Sequence, residues 1–174
     1  MDNGLIENKE EGQLVTFLLG RETYGIDIFK IQEVLHFQKI TSIPSAPGFV
    51  EGVIEVRERV IPVVDLKKRL GVKKAEQAKQ RIVILDLDEP LGVIVDDISK
   101  VLMLEAEDYE VLPEAVVGDR EKACISRLAK TDEGLVIIVS PERILSRGEI
   151  ETLKDFQESR EGEPVDDVSS HGAV

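Results

Sequence analysis

The chain carries few groups able to do covalent chemistry. Its 174 residues include two histidines, His36 and His171, one cysteine, Cys124, and no tryptophan. A general base or an activated nucleophile needs a partner within hydrogen-bond reach. His36 stands beside Phe37 as a lone histidine, and His171 falls in the tail ESREGEPVDDVSSHGAV, whose composition cannot build a core. Around Cys124 the run ACISRLAK holds no histidine, so the thiol reads as buried and structural. The carboxylates Asp86, Asp88 and Glu89 lie in LDLDEPLG, a turn signal. Asp96 and Asp97 are neighbours, and on a strand they would point to opposite faces, so they cannot act as an acid–base pair. No spacing for a metal site occurs, nor a glycine loop for phosphate or a G-x-S-x-G elbow. The expectation is a protein with no catalytic residues, no metal and no cofactor.

Charge narrows the partners. Lys and Arg number 22 against 35 Asp and Glu, a formal net charge of −13. A field of that sign repels phosphate and argues against nucleic acid, and equally against a polybasic membrane surface. The apolar runs are a few residues long, far short of the ~20 that span a bilayer. The opening MDNGLIENKEEG is acidic and lacks the regions of a signal peptide. A single cysteine excludes an internal disulfide and fits a reducing compartment. A soluble, cytoplasmic protein is expected.

The elements that would position any site are short. Apolar runs rich in Val, Ile and Leu recur between turn signals: QLVTFLL, YGIDIF, GVIEV, RVIPVVDL, RIVILDL, LGVIVDD and GLVIIVS. Runs of about 4–8 residues suit strands, and this number of them predicts small β-barrels or a sandwich. DLKKRLG reads as one helical turn closed by Gly71. Ile150, Leu153 and Phe156 share a face and predict an amphipathic helix over about 149–157.

Self-comparison reveals an internal repeat. Laying Gln13 on Gln80, a shift of 67 residues, aligns QLVTFLLGRETYGIDIFKIQEVL with QRIVILDLDEPLGVIVDDISKVL without a gap. Gly25 meets Gly92, Ile31 meets Ile98, and Val34 meets Val101. A shift of 75 then lays VIPVVDLKKRL (60–70) on LVIIVSPERIL (135–145). Two halves of about 65 residues are too small for large separate cores, so they are expected to share apolar surface and leave a groove at their join. The stretch from Lys67 to Arg81 carries seven basic residues against one acid, Glu76. It reads first as a solvated linker and second as a patch for an acidic partner.

The runs YGIDIFKIQEVL, IPSAPGFVEGVIEVRERVIPVVDLKKRLG and LGVIVDDISKVL closely resemble the CheW family of chemotaxis coupling proteins, over about Gln13 to Ile150. The resemblance implies an all-β fold of two packed five-stranded SH3-like barrels with short helical turns and a C-terminal helix. Barrel 1 is expected over about 13–75 and barrel 2 over about 80–147, with 1–12 and the acidic tail 158–174 disordered. It implies a non-enzymatic adaptor that joins the cytoplasmic tip of a chemoreceptor to the regulatory domain of a CheA-type histidine kinase, in arrays at the membrane but without insertion into it. Adaptors of the CheV type, with a receiver domain, and the kinase itself, with phosphoacceptor and ATP-binding domains, need more chain than 174 residues allow, so a stand-alone coupling protein is the reading.

Carried over by motif, Ile31 and Glu33 of KIQEV, Gly52 of EGVIEV and Arg57 of EVRER match positions tied to receptor coupling. Their repeat counterparts on the second half, Ile98 and Val101, are expected to line the same groove. A receptor hairpin presents an apolar stripe, which fits an apolar groove with a polar rim. Arg57 is expected either to hold Glu33 across neighbouring strands or to contact a receptor carboxylate directly. For the kinase, the loop KITSIPSAPGF offers Ile43 and Phe49 as apolar anchors and Pro44 as a stiffener. The sequence departs from the family where N-L-R-G is usual: Glu55 and Glu58 flank Arg57, and Glu58 lacks glycine's ease at positive φ. An alternative reading is a diverged barrel protein that binds a small molecule in the inter-barrel groove.

Overall fold

The structure, a computed structural model, describes residues 12–73, 79–113, 115 and 123–161. Strands dominate: β1 (Gly12–Leu19), β2 (Glu22–Asp27), β3 (Ile31–His36), β4 (Gly52–Val56), β5 (Arg59–Asp65), β6 (Arg81–Leu85), β7 (Leu91–Val95), β8 (Asp97–Leu104), β9 (Tyr109–Glu110), β10 (Ile125–Thr131) and β11 (Gly134–Val139). Among the described residues the α-helices include α1 (Leu66–Leu70) and α2 (Arg147–Glu161). All seven apolar runs named above are strands. The ones the pattern missed are β3 and β10, which mix polar with apolar residues, the two-residue β9, and β8, whose apolar VLML follows the mixed stretch DISK.

Two sheets form, in the orders β8-β1-β2-β11-β10-β9 and β3-β6-β7-β5-β4. The fold is all-β, with two packed barrels; one is five-stranded, and the other adds the two-residue β9 as a sixth. The strands are not shared out as consecutive halves, however. The expected barrels over 13–75 and 80–147 are corrected by the topology: hairpin β1–β2 pairs with β8 from the second repeat, and hairpin β6–β7 pairs with β3 from the first. Each repeat therefore gives its hairpin to one barrel and its third strand to the other. Gly25 and Gly92 take equivalent places in this arrangement, opposite Ile138 and Val63 on the parallel partners β11 and β5. A Cβ at either would press within 3.3 Å of side chains on both flanking strands, which explains why the repeat keeps glycine there.

The exchange follows from burial. Alternate residues of β6 face opposite cores, Val83 and Leu85 the large core between the barrels and Ile82 and Ile84 the small core of their own barrel. On β1, Phe17 and Leu19 face the shared core while Leu14 packs in the small core of the six-stranded barrel. Strands covered on both faces read as unbroken apolar runs, which is why RIVIL and LGVIV were legible.

Helix α1 is one turn, capped by Asp65, whose Oδ1 accepts from Lys67 N at 2.9 Å, and closed by Gly71 at φ 68°. Helix α2 begins two residues before the expected 149 and runs to Glu161. A reciprocal cap starts it: Ser146 Oγ accepts from Glu149 N, and Glu149 Oε1 accepts from Ser146 N. This S-x-x-E signal stood in the sequence unread. Buried Leu153 docks the helix on the shared core, with Ile150 packed beside it. Gly12 belongs to β1; residues 1–11 and 162–174, with the tail and His171, lie outside the described residues.

Candidate partner-docking site

Residues directly paired across two strands share a face, so register decides which candidates come together. Ile98 pairs with Phe17, Val101 with Val15 and Met103 with Gln13. Phe17 belongs to the shared core, so β8 turns Ile98, Val101 and Met103 to the inter-barrel side. On β3, Ile31 pairs with Leu85 and Val34 with Val83, both again in the shared core. Two equivalent edge strands, one per barrel, thus carry apolar strips toward the joint. Their inner ends, Ile31 and Ile98, pack on the core. Their outer ends are uncovered: Val34 is 40% exposed, Val101 51% and Met103 75%. Val34 and Met103 belong to the strip although only Ile31, Ile98 and Val101 were singled out; the repeat and the β alternation carried the signal for them.

Glu33 lies on the opposite face of β3, with Leu35, which packs on the small core of the five-stranded barrel. Arg57 sits at the tip of hairpin β4–β5. Its Nη1 is 2.9 Å from Glu33 Oε2, close enough for an ion pair though not aligned as a hydrogen bond, and its Nη2 donates to Oε1 at 3.3 Å. The expectation of neighbouring strands is corrected by the topology. β3 and β4 are the opposite edges of their sheet, so the ion pair spans the open side of the barrel. With Arg57 73% exposed and Glu33 20%, screening by water limits its worth to ~0–1 kcal/mol.

The tip of that hairpin holds Arg57 at φ 50° and Glu58 at φ 69°, between the paired Val56 and Arg59. Positive φ at both central residues makes a type I′ turn. The two-residue turn forms with a left-handed glutamate in it, although Glu58 lacks glycine's ease there. Gly52 opens β4 against the strand bridge Thr41–Val53, and a Cβ on it would meet Thr41 O at 2.3 Å and Ile40 Cγ2 at 2.6 Å. Close backbone approach therefore requires glycine at this position.

The loop between β3 and β4 makes two turns, Ala46 N donating to Ile43 O and Val50 N to Pro47 O, each at 3.0 Å. Pro44 is exposed and Ile43 half-buried. Phe49 packs against the shared core, so it anchors the loop inward more than it offers a side chain outward.

The start of the basic stretch is neither a solvated linker nor a free patch. Lys67 is buried and paired with buried Asp96, Lys68 Nζ reaches Glu51 at 2.9 Å, and Arg69 Nη2 lies 2.6 Å from Glu149 Oε1. The short helix α1 points these three side chains in different directions, which a linear reading of charge cannot see. Residues 74–78 lie outside the described residues. Cys124 is buried, and burial pushes its thiol pKa up. Among the described residues no group of three or more His, Cys, Asp and Glu is placed to hold a metal ion, and no helix is long and apolar enough to cross a membrane. A cleft of about 450 Å3 opens between the β6–β7 loop and α2, lined by Lys30, Asp88, Glu89, Leu145 and Lys154 among others. It shares none of its lining with the exposed strips of β3 and β8.

The CheW-like domain family matches residues 13–149. The chain belongs to the CheW family. It is 33% identical over 155 residues to the chemotaxis protein CheW of Treponema pallidum, covering 86% of this chain and 91% of that one. To CheW of Klebsiella aerogenes it is 31% identical over 149 residues, 84% and 89% of the two chains. The crystal structure of the scaffolding protein CheW from Thermoanaerobacter tengcongensis matches with a TM-score of 0.71 at 36% identity, covering 80% of this chain and 90% of that one. As a CheW-family member the chain is a chemotaxis coupling adaptor, a scaffold and not an enzyme.

Proposed function

We propose that the strips on β3 and β8 receive the helical hairpin tip of a chemoreceptor, while the loop bearing Ile43, Pro44 and Phe49 helps dock the regulatory domain of a CheA-type kinase. The single observation that carries the receptor assignment is the uncovered apolar row Val34, Val101 and Met103, repeated on equivalent edge strands and turned to the joint. An amphipathic hairpin buries its apolar stripe against such a surface. Ile31 and Ile98 support the strips from the core, Gly52 sets the approach of the β3–β4 loop, and Glu33 with Arg57 forms a polar rim beside them. Arg57, mostly exposed, is free to exchange Glu33 for a receptor carboxylate.

Coupling without catalysis requires that the adaptor bind the two kinase states with different affinity. In this reading the protein acts at receptor arrays on the inner face of the membrane, held there by its partners. The kinase assignment rests on less, since Phe49 is largely turned inward. The alternative, a small molecule in the inter-barrel groove, is not favoured, since the chain's relatives are coupling proteins.

Calorimetry with two ligands tests the reading: the kinase regulatory domain, and a soluble receptor hairpin. Saturable binding of both is expected. Val101→Lys should abolish hairpin binding and spare the kinase domain; equal loss of both, or of neither, refutes the assignment of the strips.

A further inference from the structure

Asp96 is the only residue between β7 of one barrel and β8 of the other. It is buried, and three of its polar groups bind the two barrels. Its backbone N–H donates to Leu18 O on β1 at 3.0 Å, and its Oδ2 accepts from Gly20 N in the β1–β2 turn at 2.7 Å. Its Oδ1 holds the ammonium of Lys67, equally buried, from α1. Leu18 and Gly20 belong to the six-stranded barrel, whereas α1 follows β5 of the five-stranded one and packs on β7. One carboxylate therefore ties the hairpin of one barrel to the helix of the other at the point where the chain crosses between them.

A buried ion pair is a poor way to gain stability. Desolvating both charges offsets most of their attraction, and a well-packed apolar pair often does as well. Dispersion contacts between the barrels, mostly Val, Leu and Ile in the shared core, tolerate small sliding; a buried carboxylate with two fixed partners, one on each barrel, does not. Asp97, the next residue, begins β8, and Ile98 and Val101 follow directly.

We propose that Lys67 and Asp96 are positioning residues that fix the alignment of the two barrels, and through it the spacing of the β3 and β8 strips that grip the receptor tip. The second half of this statement rests on the reading of those strips given above. Neither residue touches the partner; they act through the placement of β8. At the equivalent crossover of the first repeat Phe29 stands in the place of Asp96 and Glu142 in that of Lys67; Glu142 pairs there with Lys30 at 2.6 Å, but about half exposed. The buried form of the pair is thus found at one of the two crossovers.

The test measures alignment and binding separately. Spin labels at Gln32→Cys and Ser99→Cys, exposed positions on β3 and β8, report the inter-strip distance by pulsed electron resonance in a Cys124→Ala background. The perturbation is Lys67→Met with Asp96→Asn, which keeps an acceptor for Gly20 and fills the volume of the lysine stem while removing both charges. Lys67→Arg, which keeps the ion pair, is the control, and it also covers failure of the double variant to fold. Wild type should give one narrow distance, Lys67→Arg should preserve it, and the double variant should broaden it. Affinity for a soluble receptor hairpin should then fall by about five- to tenfold, a usual scale for coupling through a conformational equilibrium, with affinity for the kinase regulatory domain unchanged. A distribution as narrow as wild type in a folded double variant overturns the clamp. A broadened distribution with unchanged hairpin affinity leaves the clamp standing and overturns the reading of the strips as the receptor site.

Discussion

Gly52 offers the sharpest test, because its geometry predicts a loss that no partner contact explains. In Gly52→Ala the new Cβ would lie 2.3 Å from Thr41 O, 2.6 Å from Ile40 Cγ2 and 2.9 Å from the Thr41 carbonyl carbon. Two of those atoms are backbone, so no rotamer change relieves the clash. The strand bridge must open, giving up the two hydrogen bonds between Thr41 and Val53, each 2.9 Å long. At about 1 kcal/mol per bond, with a further ~1–2 kcal/mol for overpacking against Ile40, the variant should lose about 3–4 kcal/mol. Urea denaturation followed by circular dichroism reads that loss directly, as a lower midpoint at unchanged slope. Because Thr41 leads into the loop of Ile43 and Pro44, the displacement should weaken kinase-domain binding as well as receptor coupling. Two results refute the reasoning. One is a variant within 1 kcal/mol of wild type; the other is a destabilised variant that loses only receptor coupling, which would make Gly52 a contact residue.

Arg57→Ala should cost no more than ~1 kcal/mol of stability, since the pair with Glu33 is screened, yet it should abolish receptor-dependent kinase activation in a reconstituted mixture; unimpaired activation counts against its place on the rim. Glu58→Gly should stabilise the fold by about 0.5–1 kcal/mol, because relief of a left-handed side chain exceeds the added freedom of glycine in the unfolded chain, and thermal unfolding measures it. Acid should loosen α2 before the barrels. Burial pushes the carboxyl of Glu149 up, but the Arg69 guanidinium, the Ser146 N–H and the Ser146 hydroxyl more than offset this and hold it below the ordinary 4.5. A carboxylate lowered in the folded state contributes stability that is complete above its unfolded value and lost as pH falls through the folded one. Glu149→Gln should therefore flatten the acid limb of the stability curve below about pH 4.5, and an unchanged limb would show that Glu149 does not carry it.

Much of the fold was legible along the chain, for identifiable reasons. β6 and β7 are covered on both faces, so they appear as unbroken Val, Ile and Leu runs. Asp65 and Gly71 bracket α1 with the caps a single turn needs. The repeat placed Val101 opposite Val34 before any coordinates did. β3 escaped the strand pattern because an edge strand covered on one side keeps polar residues on the other, and β8 because its apolar VLML follows the mixed stretch DISK. The capping signal Ser146 to Glu149 was present and unread, so the start of α2 was knowable from sequence.

Sequence alone determined the class of the molecule: all-β, duplicated, poor in catalytic groups, and similar in its motifs to a coupling adaptor. Those properties live in composition, periodicity and local spacing. Tertiary structure alone decided which strand completes which barrel, since apolar hairpins of the two repeats accept either third strand equally well by local pattern. Exchange wins because it puts Phe17, Leu19, Val83 and Leu85 into one shared core. Only the fold, too, shows that Lys67 in a run of lysines is buried on Asp96, because a charge pattern records signs along the chain and not which side of a one-turn helix faces the interior.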